Sequence, residues 1–196
     1  RVIFVGDSAH VVSPFGARGG NGGIHDVDNL CWKLARVVRG ESDESLLESY
    51  NTERVHGADE NISNSSWTSR FMSPEPGVEM AFRNAALSLA VDTPFARRVV
   101  NAGRLSVPCR LTDSALNSAD DTGLDVPQEI GMVALDAPLT APDGSPTWLM
   151  RQLGSGFVCL VTGDTDLDDA AVPEGIKLVR ISASGFTDAE GKVAER

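Results

Sequence analysis

The chain opens on an unbroken apolar run, Val2-Ile3-Phe4-Val5, the pattern of a strand buried on both faces in a parallel sheet. Such a strand needs neighbours that the following residues do not offer, so the chain reads as a fragment whose start lies inside a domain. A glycine-rich loop follows from Gly16 to Gly23. Val27, Leu30, Cys31, Leu34, Ala35 and Val38 then recur at helical spacing. Lys33, Arg36 and Arg39 place positive charge in the last turns, which suits a helix C-terminus, and Gly40 is a stop. The Ser42-Asp43-Glu44 cluster predicts the start of a second helix carrying Leu46, Leu47, Tyr50 and, less regularly, Ala58 and Ile62. Its far end, Asn61 to Ser66, is polar and without a clear period.

Pro74 and Pro76 interrupt the chain. Val78, Ala81, Phe82, Ala85, Ala86, Leu89 and Ala90 form the apolar stripe of an amphipathic helix. Thr93-Pro94 predicts a capped short helix running to Gly103. Residues from Val107 to Gln128 are rich in Ser, Asp and Asn and read as a linker or a draped surface loop. The pattern then changes. Met132 to Leu135 predicts a short strand, Asp143-Gly144 a turn, and Trp148 to Leu153 a short helix ended by Gly154. Phe157 to Val161 predicts a buried strand, Asp164 to Ala171 a helix, and Ile176 to Ile181 another strand. The fold class is α/β: residues 1–106 form a strand, a glycine loop and long helices, 107–128 a linker, and 129–196 a small, incomplete α/β domain.

Composition narrows the partners. Among 196 residues 41% are apolar, enough for a core, and the net charge of -11 argues against nucleic acid or anionic membrane as a partner. No apolar stretch reaches the length of a membrane span and none has a leader pattern, which leaves the cytoplasm as the expected compartment. Cys31, Cys109 and Cys159 are scattered, with no CxxC pair, and read as small core-filling hydrophobes. His10 and His25 lack metal-ligand spacing, so no metal is expected. Asp164, Asp166, Asp168 and Asp169 lack the glycine and terminal glutamate of a calcium loop and read as a solvated helix start.

The chemistry concentrates in Gly6-Asp7-Ser8-Ala9-His10, then Pro14-Phe15-Gly16-Ala17-Arg18-Gly19-Gly20-Asn21-Gly22-Gly23, then Asp26. An acid past the end of a strand stands where open α/β sheets bind ligands. A glycine loop lets a ligand approach the backbone, and the helix behind it offers free N–H groups and partial positive charge. The pair suits a polyhydroxyl chain joined to a group that becomes anionic. Phosphate fits the second half alone, and a plain glycine-rich strand-to-helix turn fits the loop without the acid. Arg18 reads either as a group that steers a ligand or as a solvated loop arginine, and Trp32 as packing.

The run Gly6, Asp7, Ala9, His10, Pro14, Gly16, Gly19, Asn21, Gly23, Asp26, Asn29, Leu30, Trp32, Lys33 and Leu34 resembles the second flavin motif of the FAD-dependent aromatic-ring monooxygenases related to para-hydroxybenzoate hydroxylase and phenol hydroxylase. Leu46-Leu47-x-x-Tyr50 with Glu53-Arg54 resembles the next helix of that family. Ala17 and Arg18 depart from its commonest glycine and glutamine. The resemblance implies the end of a Rossmann-like FAD-binding domain. It implies that Asp7, beside Gly6, accepts hydrogen bonds from the ribityl hydroxyls, that Pro14 lies near the isoalloxazine ring, and that Gly19, Gly20, Asn21 and Gly22 face its N1–O2 edge at the positive end of the helix. It further implies hydroxylation of a small aromatic substrate with O2 and NADH or NADPH. No catalytic acid or base is specified.

Leu149, Leu153, Gly154, Gly156, Phe157, Leu160 and Val161 resemble the thioredoxin-like C-terminal domain of many phenol-hydroxylase relatives. The redox CxxC is missing, which implies a structural or homodimer-contact role rather than disulfide chemistry. A second reading of the whole chain is therefore non-catalytic, a fragment whose thioredoxin-like module serves folding or dimerisation. The residues contain no G-x-G-x-x-G, the pyrophosphate fingerprint, so weak binding of FAD or none is expected of this chain by itself.

Overall fold

A computed structural model describes residues 1–101, 109–118, 130–163 and 167–193. The chain divides into two compact units, Arg1–Ala119 with Ile130–Met132, and Asp120–Glu129 with Val133–Arg196.

In the first unit the opening run is extended but pairs with no strand among the described residues. A lone strand cannot satisfy its backbone or bury both faces, and Val2 and Phe4 stay 80% and 60% exposed. The segment is held from one side only. Ile3 and Val5 pack on Leu30, Leu47 and Tyr50, and the Tyr50 hydroxyl donates to the Phe4 carbonyl at 2.8 Å. A single 3-10 turn, Gly6–Ser8, follows.

Helix α1 spans Arg18–Val38, so the glycines expected in a loop form its first turns. Helix α2 spans Leu46–Met72, well past the patternless stretch. There the hydroxyls of Ser65, Thr68 and Ser69 donate to carbonyls three or four residues earlier, which satisfies the polar side chains without leaving the helix. The α1 face against α2 is polar: Arg18, Gly22, Asp26, Leu30 and Lys33 are its buried residues. Arg18 meets Asn61 and Lys33 meets Glu53, so the pairing order reverses and the helices run antiparallel. The expected apolar stripe lies elsewhere, with Val27, Leu34 and Val38 exposed. Cys31 is exposed too, contrary to the expected core position.

Helices α3, Val78–Ala90, and α4, Pro94–Asn101, follow the sequence expectation, although no residue of α3 is buried. Position 103 lies outside the described residues. Of the expected linker, residues 109–118 lie on this unit. Leu111 N–H donates to the Gly131 carbonyl at 2.9 Å, and the Ser114 hydroxyl donates to Glu53.

The strand expected at Met132–Leu135, where the second unit takes over from the first, is absent; Met132, Val133 and Leu135 are exposed. The strand is β1, Pro138–Thr140, which pairs antiparallel with β2, Pro146–Trp148. The Asp143-Gly144 turn sets that register, with Gly144 at φ 84° and Ala141 N–H bonded to the Ser145 carbonyl at 2.8 Å. Helix α5, Leu149–Leu153, ends at Gly154 as expected. Strands β3, Val158–Thr162, and β4, Lys177–Ile181, pair in parallel. Between them only Asp169–Ala171 is helical, as a single 3-10 turn, rather than the expected helix from 164; residues 164–166 lie outside the described ones. Asp168 caps that turn through the Ala170 N–H, and Asp169 pairs with Arg180 at 2.6 Å, so these acids have structural partners. Ala137, Leu139, Leu149 and Ile181 form the core of this unit.

Candidate functional site

The candidate site lies where the opening segment turns into α1. Gly6 starts the turn at φ 57°, a left-handed conformation that disfavours a side chain. Its N–H donates to Asp26 Oδ2 at 2.7 Å. Asp7 points to solvent and has no hydrogen-bond partner among the described residues. Pro14 is exposed too. The Ala17 N–H bonds the Pro14 carbonyl at 3.3 Å, and the hydroxyls of Ser13 and of Ser69 on α2 are hydrogen-bonded at 2.6 Å, which ties this loop to the helix pair.

Ala17 is the N-cap of α1 and sits at φ 53°, the only non-glycine residue at positive φ among the described residues. It offers no side-chain cap. The first-turn amides of a helix have no intrahelical acceptor, so those of Gly19 and Gly20 remain available at the positive end of the helix. Gly20 is exposed with open space around it, and Asn21 is exposed with its side-chain amide on the Ala17 carbonyl at 2.8 Å. Gly22 faces inward instead. A Cβ there would stand 3.2 Å from the His10 ring, so glycine lets α1 close on the turn. The structure thus brings Asp7, Pro14, Gly20 and Asn21 to the exposed surface of one turn-helix junction, with Gly19 half-buried and Gly6 and Gly22 as the close contacts beneath it.

Beneath the junction lies a buried charge cluster. Asp26 is 0% exposed. It receives the Gly6 N–H, Arg54 Nε at 2.7 Å on Oδ1, and His10 Nε2 at 2.8 Å on Oδ2. A carboxylate only accepts, so His10 Nε2 carries the proton. Burial alone would push the Asp26 carboxyl up, but the bonds from Arg54, Gly6 and His10 outweigh it and hold it below the ordinary 3.8. One turn away Glu53 shows the same balance, with burial opposed by Lys33, Ser114 and Asn29. Lys33 is 0% exposed and 2.6 Å from Glu53. The sequence marked Asp26, Glu53 and Arg54 only through the motif, and Lys33 also as charge for the helix C-terminus, whereas it is buried against Glu53. The signal available was their spacing, which places each on the inward face of its helix.

Arg18 does not lie in solvent. It is buried and donates to Asn61 Oδ1 at 3.0 Å. Among the described residues no group of His, Cys, Asp and Glu could hold a metal ion. A cleft of about 410 Å³ opens beside the cluster, lined by Phe4, Ser8, His10, Asp26, Tyr50 and Arg54, and it does not include Asp7, Pro14 or Gly19–Gly22.

Residues 1–65 match the family described as FAD binding domain. Tetracenomycin B2 monooxygenase-dioxygenase of Streptomyces olivaceus is 33% identical over 87% of this chain and 30% of its own length. The 3-(3-hydroxy-phenyl)propionate/3-hydroxycinnamic acid hydroxylase of Mycolicibacterium smegmatis is 31% identical over 82% of this chain and 28% of its own length. Among solved structures, the rebeccamycin biosynthetic enzyme RebC with reduced flavin is similar at a TM-score of 0.67 and 28% identity, over 100% of this chain and 39% of that one. The chain therefore spans about a third of the length of the relatives it matches. The resemblance to FAD-dependent aromatic monooxygenases, and FAD as the cofactor, are borne out by these matches.

The residues present fit that cofactor. An exposed carboxylate with no partner among the described residues lies on the turn packed against α1, and the start of that helix is uncapped, with open space at Gly20. A hydroxyl-rich chain suits the first, and an electron-rich ring edge suits the second.

Proposed function

We propose that this chain is the flavin-ring half of an FAD-dependent monooxygenase that hydroxylates an aromatic ring, with NADH or NADPH as reductant and O2 as co-substrate. The observation that carries the reading is the pairing of the free Asp7 carboxylate with the bare N-terminus of α1 inside the matched residues 1–65. The named relatives, a monooxygenase-dioxygenase and a hydroxylase of phenolic acids, support the reaction class.

FAD supplies the redox chemistry when bound, and the protein's part is to hold and polarise it. Asp7 accepts hydrogen bonds from the ribityl hydroxyls. Gly6 lets the turn adopt its left-handed start, and Pro14 borders the ring. The free amides of Gly19 and Gly20, with the dipole of α1 and with Asn21 and Gly22 forming the turn behind them, would stabilise negative charge on the ring edge, a preorganised electrostatic role. Asp7→Ala removes a charged acceptor and is expected to weaken FAD binding about tenfold or more. Unchanged affinity, read from quenching of flavin fluorescence, would remove Asp7 from this role.

A second reading rests on a different observation. Residues 133–193 carry their own core around Leu139 and Leu149. In that reading a thioredoxin-like module at 129–196 serves folding or homodimer contact. Sedimentation of the chain decides it: a monomer at all concentrations rules out the association role.

A further inference from the structure

Asp26 is more elaborately held than a helix-pairing ion needs. Lys33 and Glu53 already join α1 to α2 as a buried pair, with Asn29 and Ser114 completing the coordination of Glu53. Asp26 forms the second such pair, with Arg54, but it also reaches out of the helix pair. Its Oδ2 takes the amide of Gly6 and the ring of His10, the two residues that bracket Asp7-Ser8-Ala9. Both ends of the turn that presents Asp7 are thus fastened to one carboxylate oxygen, while the other oxygen is fixed by Arg54. Gly22 lets the first turns of α1 come close enough for this, since a Cβ there would meet the His10 ring at 3.2 Å.

We propose that Asp26 is a positioning residue of the flavin site: anchored by Arg54, it grips the Gly6 amide and His10 and so fixes the direction in which the Asp7 carboxylate leaves the turn. This rests on the flavin reading of Asp7. The grip itself does not depend on that reading. Asp26 touches no ligand; it acts through Gly6, His10 and Asp7.

The test begins with the unaltered chain labelled with ¹⁵N and ¹³C. A hydrogen bond from Gly6 to a charged acceptor predicts a Gly6 amide proton shifted downfield, slow exchange, and a scalar coupling from Gly6 nitrogen to the Asp26 carboxyl carbon. Absence of both the coupling and exchange protection overturns the grip. Next, Asp26→Asn is compared with Glu53→Gln, which breaks the other buried pair without touching the turn. Asp26→Asn is expected to move the Gly6 amide and Asp7 carboxyl signals and to weaken FAD binding at least about fivefold more than Glu53→Gln does. Equal losses from the two variants would reduce Asp26 to a fold-stabilising charge and overturn the proposal. If Asp26→Asn does not fold, His10→Asn, which releases one end of the turn, must still shift the Asp7 signal; an unmoved signal overturns it as well. Failure of the flavin reading looks different: the Gly6 coupling is present and FAD perturbs neither Asp7 nor Gly19–Gly22.

Discussion

Ala17 holds a backbone conformation that the family resemblance assigns most often to glycine. At φ 53° its Cβ crowds the backbone, a cost of about 1–2 kcal/mol for an L-residue. The departure was visible in the sequence as an alanine in a glycine loop, but its consequence was not, because the sequence does not tell which loop position turns left-handed. Ala17→Gly relieves the strain and gives back part of it as unfolded-state entropy, so a gain of about 0.5–1 kcal/mol is expected in urea denaturation. A loss of stability would show that Ala17 is not strained. Arg18 teaches the converse. Its position beside glycines suggested a ligand contact or solvent, whereas its side chain runs back to Asn61 on a helix more than forty residues away. Nothing local in a sequence announces a partner at that distance.

At the scale of elements, the helices were legible and their faces were not. The period at Val27 to Val38 located α1, but its buried face is the row Arg18, Gly22, Asp26, Leu30 and Lys33. Hydrophobic periodicity finds the apolar side of a helix and is blind to a polar side whose charges are all paired. The α1–α2 contact carries a specific pH signature. Asp26 and Glu53 titrate below their ordinary 3.8 and 4.5 in the folded chain, so the unfolded state binds protons first as pH falls. The stability they contribute is therefore complete above the unfolded values and is lost as pH drops through the folded ones. Thermal melts followed by helix ellipticity are expected to hold steady from about pH 7 to 5 and to fall steeply below about pH 4. A melting temperature unchanged down to about pH 3 would contradict the balance of burial and hydrogen bonds assigned to the two carboxylates. The strand readings divide by the same logic. Val158–Thr162 and Lys177–Ile181 pair with each other, so their apolar runs became β3 and β4. Val2–Val5 and Met132–Leu135 have no pairing partner among the described residues, and an apolar run without a partner is not a strand.

At the scale of the whole molecule, the motif from Gly6 to Leu34 carried the cofactor class, and the matches over residues 1–65 agree with it. Its weight came from many residues at fixed spacing around one junction, which is how a cofactor site leaves its mark on a sequence. The chain holds no G-x-G-x-x-G, and Asp7, Pro14, Gly20 and Asn21 at the junction are exposed. Contact with one end of FAD leaves most of the ligand in water, so affinity is expected to be weak and the purified chain colourless. No helix among the described residues is long and apolar enough to cross a membrane.

The central claim is that the junction from Gly6 to Gly22 receives a flavin ring and its ribityl chain. Titration of the ¹⁵N-labelled chain with FAD, with ADP in parallel, tests it most directly. A flavin site at this junction gives saturable shifts of the Asp7, Gly19, Gly20 and Asn21 amides with FAD and no such shifts with ADP, which lacks the ring and the ribityl hydroxyls. Shifts produced equally by ADP, or a junction left unmoved while FAD binds elsewhere, would contradict it.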